Sequence, residues 1–140
     1  MSTTTTRDGR VYLHLASVEL ANVPPSINRN TLSRDWRAFR RHKRAWQADL
    51  ERILMSAGLD RPILTVGPLL VQVTLHFRDR RRRDSENYRV LLSKALGDAL
   101  VNGRWMVDDT DAHWRLDVTV GDVRPAPATS IAIHTCVGSL

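Results

Sequence analysis

The sequence predicts an α/β (α+β) domain, a single mixed sheet with two helices packed on it in the order β-α-β-α-β-β. Three observations carry that prediction. Tyr88, Leu91, Leu92, Ala95, Leu96, Ala99 and Leu100 recur at helical spacing. Leu69, Val71, Val73, Leu75 and Phe77 alternate with Leu70, Gln72, Thr74 and His76, which is strand spacing. A chain of 140 residues holds one such core and is too short for two comfortable ones.

Residues 1–10 are small, polar and aperiodic, and are expected to be a disordered tail before a single domain over 11–140. Val11 to Leu20 alternates loosely and reads as the first strand. Pro24-Pro25-Ser26-Ile27-Asn28-Arg29 stops it; this loop either connects or reaches phosphate through Asn28 and Arg29. Thr31 or Ser33 is placed to cap a long helix ending near Ala57, before Gly58. Trp36, Phe39, Lys43, Trp46, Leu50, Ile53 and Ala57 line one stripe of that helix, predominantly apolar and expected to face the core. Arg34, Arg37, Arg40, Arg41 and Arg44 occupy the other side of its first half, with few acids before Asp49.

Leu69 to Phe77 is expected to be a half-buried strand with His76 on its polar, surface side. The second helix spans Asn87 to Leu100, stopped by Asn102-Gly103. Asn87, Lys94 and Asp98 share a stripe beside its apolar face, and the Lys94 stem leans toward the helix entrance. His113 to Val120 alternates as a third strand. Residues 124–130 read as a linker to a last strand ending near Val137, which completes this sheet or that of a partner.

Lys and Arg outnumber Asp and Glu by 21 to 15, a balance that favours a polyanionic partner. The single cysteine, Cys136, excludes an internal disulfide and a cysteine-based zinc site. No signal-peptide core precedes the first strand. The most apolar run, Ile63 to Leu75, is broken by Gly67, Pro68 and Gln72 and is too short to span a bilayer. The expectation is a cytoplasmic protein without a membrane partner.

The chemistry concentrates where the second strand gives way to the second helix. Arg80, Arg81, Arg82 and Arg83 repel one another and call for an anion, and Asp84 and Glu86 follow at once. Asp98 and the cluster Asp108, Asp109 and Asp111 are the other acids in reach. Carboxylates beside an arginine run suit Mg²⁺ on a phosphate backbone, with Lys94 neutralising charge at phosphorus. The competing account is that these acids form salt bridges with their arginine neighbours. The metal reading expects the loops at the two ends of the second helix to meet.

The order of these elements resembles the RusA family of Holliday-junction resolvases over about residues 11–120. The resemblance lies in Arg80-Arg81-Arg82-Arg83-Asp84-Ser85-Glu86-Asn87, Lys94, Asp98-Ala99-Leu100 and Trp105-Met106-Val107-Asp108-Asp109, with Pro24-Pro25-Ser26 and Asn28 upstream. It implies a homodimeric, Mg²⁺-dependent endonuclease for branched DNA, with Mn²⁺ as a substitute cation. The metal ligands would be Asp84, Glu86 and Asp109 with Asp108 beside them, and Lys94 the catalytic cation. Arg80 to Arg83, Asn28, Arg29 and Asn87 would meet DNA. Glu86 departs from the family's usual Asp, and about one helical turn is added before Lys94. A binding protein with a degenerate metal site is therefore the alternative, and an RNA-binding module the more distant one, since no aromatic stacking platform is visible.

Overall fold

The computed structural model describes residues 3–5, 8–27, 35–57 and 67–139. Its elements are β1 (Thr3–Thr5), β2 (Arg10–Ala21), α1 (Trp36–Met55), β3 (Leu69–His76), α2 (Glu86–Asn102), β4 (Trp114–Val120) and β5 (Ala128–Ser139). The strands form one mixed sheet in the order β1-β2-β5-β3-β4. β3 and β4 run parallel, in register from Leu69 opposite Trp114 to Leu75 opposite Val120, and every other pair is antiparallel. The α/β class and the two-helix architecture are as the sequence predicts.

The last strand completes this chain's own sheet. β5 lies at its centre, between β2 and β3, so Ile131 and Ile133 are buried at the heart of the core. The expected linker over 124–130 is accordingly short and tied down. The Arg124 amide donates to the Phe77 carbonyl, its guanidinium pairs with Glu19, and strand begins at Ala128. The expected disordered tail is also corrected in part: Thr3–Thr5 pairs antiparallel with Val11 to Leu13 and adds an edge strand.

β3 is half-buried at its middle, where Gln72 is exposed and Thr74 partly so, and is buried on both faces only toward its ends. Leu69, Val71, Val73 and Leu75 pack under the helices, and Leu70 and His76 are buried on the other side. His76 is thus no surface histidine. Its Nδ1–H donates to the Asp122 carbonyl at 3.0 Å, and the Asp122 carboxylate lies 3.1 Å away. The connector after β4 folds back over it, which strand periodicity alone does not reveal.

In α1 the expected caps Thr31 and Ser33, like Gly58, lie outside the described residues. The cap is Asp35, whose Oδ1 accepts the Ala38 amide at 3.0 Å, and the helix ends at Met55 with Ser56 as its C-cap. Only the second half of its apolar stripe enters the core. Leu50 and Leu54 are fully buried and Trp46 half-buried, whereas Trp36 remains 56% exposed. Lys43, amid the stripe, is held by the Asp98 carboxylate of α2 at 2.5 Å.

α2 ends in a Schellman motif. The Trp105 amide donates to the Leu100 carbonyl at 2.9 Å and the Arg104 amide to Val101 at 3.0 Å. The left-handed residue is Arg104, at φ 62°, while Gly103 stays right-handed at φ −79°. A Cβ at Gly103 would stand 3.0 Å from the Trp105 ring, a tight approach that glycine avoids. Replacing Arg104 by glycine relieves the left-handed strain, offset partly by chain entropy, and should stabilise the fold by about 0.5–1 kcal/mol. Urea unfolding should show a higher midpoint at an unchanged slope; a lower midpoint would mean that the Arg104 side chain matters more than its backbone.

Candidate metal and nucleic-acid site

Asp84 opens α2 and does the capping there. Its Oδ1 accepts the Glu86 amide at 3.0 Å and its carbonyl accepts the Asn87 amide at 3.1 Å, while the Ser85 side chain makes no cap bond. Both Asp84 and Glu86 are exposed. Two acids at a helix entrance are favoured by the partial positive charge of the first-turn amides, so the position costs the fold little. The described part of the proline loop docks beside them, because the Ile27 amide donates to the Asn87 carbonyl at 2.7 Å. Asn28 and Arg29, which follow, lie outside the described residues.

The arginine run divides. Arg80, Arg81 and Arg82 are exposed, but Arg83 turns inward with its side chain only 15% accessible. Its guanidinium sits 3.9 Å over the Phe77 ring and donates to the Asp79 carboxylate (2.8 Å), the Asp79 carbonyl and the Arg81 carbonyl. Arg83 therefore shapes the loop, and three guanidinium groups are left facing solvent.

The second group of acids follows α2. Asp108 Oδ1 accepts the Asp109 amide at 2.8 Å, and the Trp114 indole donates to the Asp109 carbonyl at 2.9 Å. The Asp109 carboxylate lies against α2 at Gly97, where a Cβ would stand 3.2 Å from both its Cβ and its Oδ2. A side chain at 97 would oblige the acid to give way by a few tenths of an ångström. Lys94 is exposed one turn earlier, and residues three apart on a helix are neighbours about 5–6 Å apart. Along the axis the Lys94 backbone thus lies nearer to Gly97, where Asp109 docks, than to Asp84.

The expected meeting of the two loops is not made within one chain. Glu86 and Gly97 share a stripe of α2, but eleven residues at about 1.5 Å each set them about 16 Å apart along the axis. One cation binds oxygens within about 2–2.6 Å of itself and cannot bridge that gap. Among the described residues no group of three His, Cys, Asp or Glu side chains is arranged to hold a metal ion. A Mg²⁺ centre of Asp84, Glu86 and Asp109 therefore does not fit a single copy of the chain. Asp98 lies apart from both groups, in its ion pair with Lys43.

Around Asp109 lies a cleft of about 300 Å³ lined by Arg10, Arg89, Ser93, Asp109, Asp111 and Arg115. Arg89 is anchored there by donating to the Leu116 carbonyl at 2.5 Å. The sequence reading singled out none of the three arginines or Ser93. They come from the first residue of β2, the flank of α2 and the polar side of β4, elements that meet only in the folded chain. The exposed face of an alternating strand was the one available signal, and it pointed to Arg115.

The carboxylates fall into two sets. Asp8, Glu19, Asp49, Asp79, Asp98, Asp117 and Asp122 each face a basic partner. Among the described residues Asp35, Glu51, Asp84, Glu86, Asp108, Asp109 and Asp111 form no ion pair. Asp35 caps α1, Glu51 accepts from Gln47 and Asn102, and Asp109 and Asp111 share a cleft with Arg10, Arg89 and Arg115. Asp84 and Glu86 stand beside the arginine run without pairing to it. The salt-bridge account of Asp84 and Glu86 thus has no support in the geometry. No protein-family model matches the chain, and no curated protein matches it.

The Arg81 amide and the Arg83 guanidinium hold the Asp79 carboxyl below its ordinary value of 3.8. A depressed folded value means that the tether is intact above the unfolded carboxylate range and is lost as pH falls through the lower folded one. In an acid titration followed by NMR, the Arg81 amide shift should move with a midpoint below 3.8 and stop titrating in Asp79→Asn. A midpoint above that value would break the assignment of Arg83 as the organiser of this loop.

Proposed function

We propose that the protein is a Mg²⁺-dependent endodeoxyribonuclease for branched DNA, a Holliday-junction resolvase of the RusA type, acting as a homodimer. The observation that carries this reading is the pair Asp84 and Glu86, both exposed beside Arg80, Arg81 and Arg82 and joined to none of them by an ion pair. It is supported by the order of the arginine run, Asp84-Ser85-Glu86-Asn87, Lys94 and Asp108-Asp109, which is that of the RusA family. Arg80, Arg81 and Arg82 would hold phosphate without reading sequence, so affinity should fall steeply with salt.

The 16 Å gap adds a requirement to the proposal: a second copy must bring its Asp109 to the Asp84 and Glu86 of the first. A two-fold axis does this twice, because an isologous contact that sets residue i against j also sets j against i. Bound Mg²⁺ would supply a hydroxide nucleophile and charge stabilisation at phosphorus. The residues here would position the ion and the strand, with Lys94, a turn before the Gly97 at which Asp109 docks, facing the developing charge. A second reading is favoured by the same gap: a chain that does not pair in this way would bind branched DNA without cutting it.

A synthetic four-way junction in Mg²⁺, with an EDTA control, separates the two readings. Cleavage in Mg²⁺ alone is expected; binding without cleavage at any Mg²⁺ or Mn²⁺ concentration would leave the binding protein. Asp84→Asn and Asp109→Asn should each reduce cleavage at least about 100-fold, as loss of a metal or catalytic group does. Mixing the two inactive variants should restore activity, since each heterodimer regains one intact site and loses the other. No recovery on mixing, with subunit exchange verified, would exclude a site shared between copies.

A further inference from the structure

Trp36 is the first residue of α1 and, at 56% exposure, the one Phe, Tyr or Trp that is exposed among the described residues. The stripe that it opens runs into the core from Trp46 onward, but Trp36 stands outside it. One exposed ring is ordinary by itself, so what matters is the surface in which it is set.

The ring's neighbours define that surface. Arg40 and Arg44 lie at i+4 and i+8 from Trp36, and Arg37 and Arg41 form the adjacent row, so ring and guanidinium groups share one surface of the helix. The Arg40 guanidinium lies 4.9 Å from the Trp36 ring centroid. Among the described residues no carboxylate pairs with Arg37, Arg40, Arg41 or Arg44. The nearest acid, Asp35, has its Oδ1 on the Ala38 amide. The surface is therefore cationic, uncompensated and carries one aromatic face.

The placement of this surface relates it to the candidate site. Lys43 bonds Asp98, and Asn102 of α2 donates to Glu51 at 2.9 Å, so contacts advance along both helices together. The two helices run in the same sense. The first half of α1 consequently extends toward the end of α2 that carries Asp84 and Glu86.

We infer that Trp36 is a stacking platform for an unpaired DNA base, with Arg37, Arg40, Arg41 and Arg44 holding the phosphates of the same strand. A paired base presents only its edge in a groove, whereas an unpaired one offers a full face to an indole. The surface would therefore favour branch points and single strands over plain duplex. This inference rests on the reading that the partner is DNA, and does not require the chain to cut it.

The test measures binding in EDTA, where no metal-dependent cleavage occurs, to a single-stranded oligonucleotide, a four-way junction and a linear duplex of equal length. Trp36→Ala should weaken binding to the first two about 10-fold and to duplex less than about twofold, and Trp36→Phe should retain most of the affinity. Single-stranded DNA should quench indole emission in the wild type and much less in Trp36→Phe, because Trp105 and Trp114 are buried and Trp46 half-buried. An equal loss on all three ligands, no loss on any, or a change of oligomeric state in Trp36→Ala would overturn the inference, the last assigning the ring to a contact between copies. Trp36-dependent binding by a protein that never cleaves would sink the nuclease reading and leave this one standing. Cleavage with binding indifferent to Trp36 would do the reverse.

Discussion

The parallel pairing of β3 with β4 governs where everything else lies. Two parallel neighbours need a crossover, and α2 provides it, running back along the sheet between the end of one strand and the start of the next. Its inner face buries Leu91, Leu92, Ala95, Leu96, Ala99 and Leu100. Each large side chain buried in this way contributes about 1.5–3 kcal/mol, against about 0–1 kcal/mol for an exposed ion pair. Packing decides the path of the helix, and charged groups go where it sends them. Asp84 and Glu86 end at one end of the crossover because they precede it. Asp109 follows it, and returns only as far as Gly97.

The electrostatics of the loop before α2 follow the same division between structural and unengaged groups. Four adjacent guanidinium groups would repel if all pointed one way. Arg83 avoids this by lying over the Phe77 ring and bonding Asp79, an arrangement that uses both the planar face and the donor edge of the guanidinium. A lysine has only a point charge to offer and would not hold the turn equally well. With Arg83 inside and Asp79 neutralising it, the remaining three charges are presented by a shaped loop rather than a loose one. Asp98 and Lys43 perform a comparable structural task between the helices, which is why an acid on the expected stripe of α2 is not part of the unpaired set.

What the sequence disclosed depended on the range of the interaction. The two helices and four main strands were legible because local periodicity sets them, and the stop near Gly103 because helix ends have local chemistry. Thr3–Thr5 escaped notice because three threonines carry no hydrophobic pattern and become a strand only by pairing with β2. His76 was misplaced for a similar reason: alternation puts it on the polar side, and only the connector after β4 covers it. The central position of β5 could not be read from chain order, since the last strand inserts between the first long one and β3. For the site, residue types and their order were visible, while the 16 Å between the two acidic groups follows from the length of α2 and the side of the sheet on which it packs. The arginines gathered around Asp109 come from three elements and carry no shared pattern.

The split acids also restrict how two copies could be related. Glu86, Val90, Ser93 and Gly97 are spaced at four, seven and eleven residues and lie along one stripe of α2. For the Asp109 against Gly97 of one copy to reach Glu86 of another, the two helices would have to lie antiparallel, with the two-fold axis crossing near the middle of that stripe. Val90 and Ser93 would then be at the contact, where a half-buried valine and a small serine permit close approach. Lys94 sits beside this line, so it would flank the shared carboxylates from the helix that carries Asp109. The first half of α1, with Trp36 and its arginines, lies on the side of α2 marked by Asp98 rather than on the Gly97 stripe. A pairing through that stripe would therefore bury the acids that need a partner and leave the cationic helix surface open to a strand of DNA.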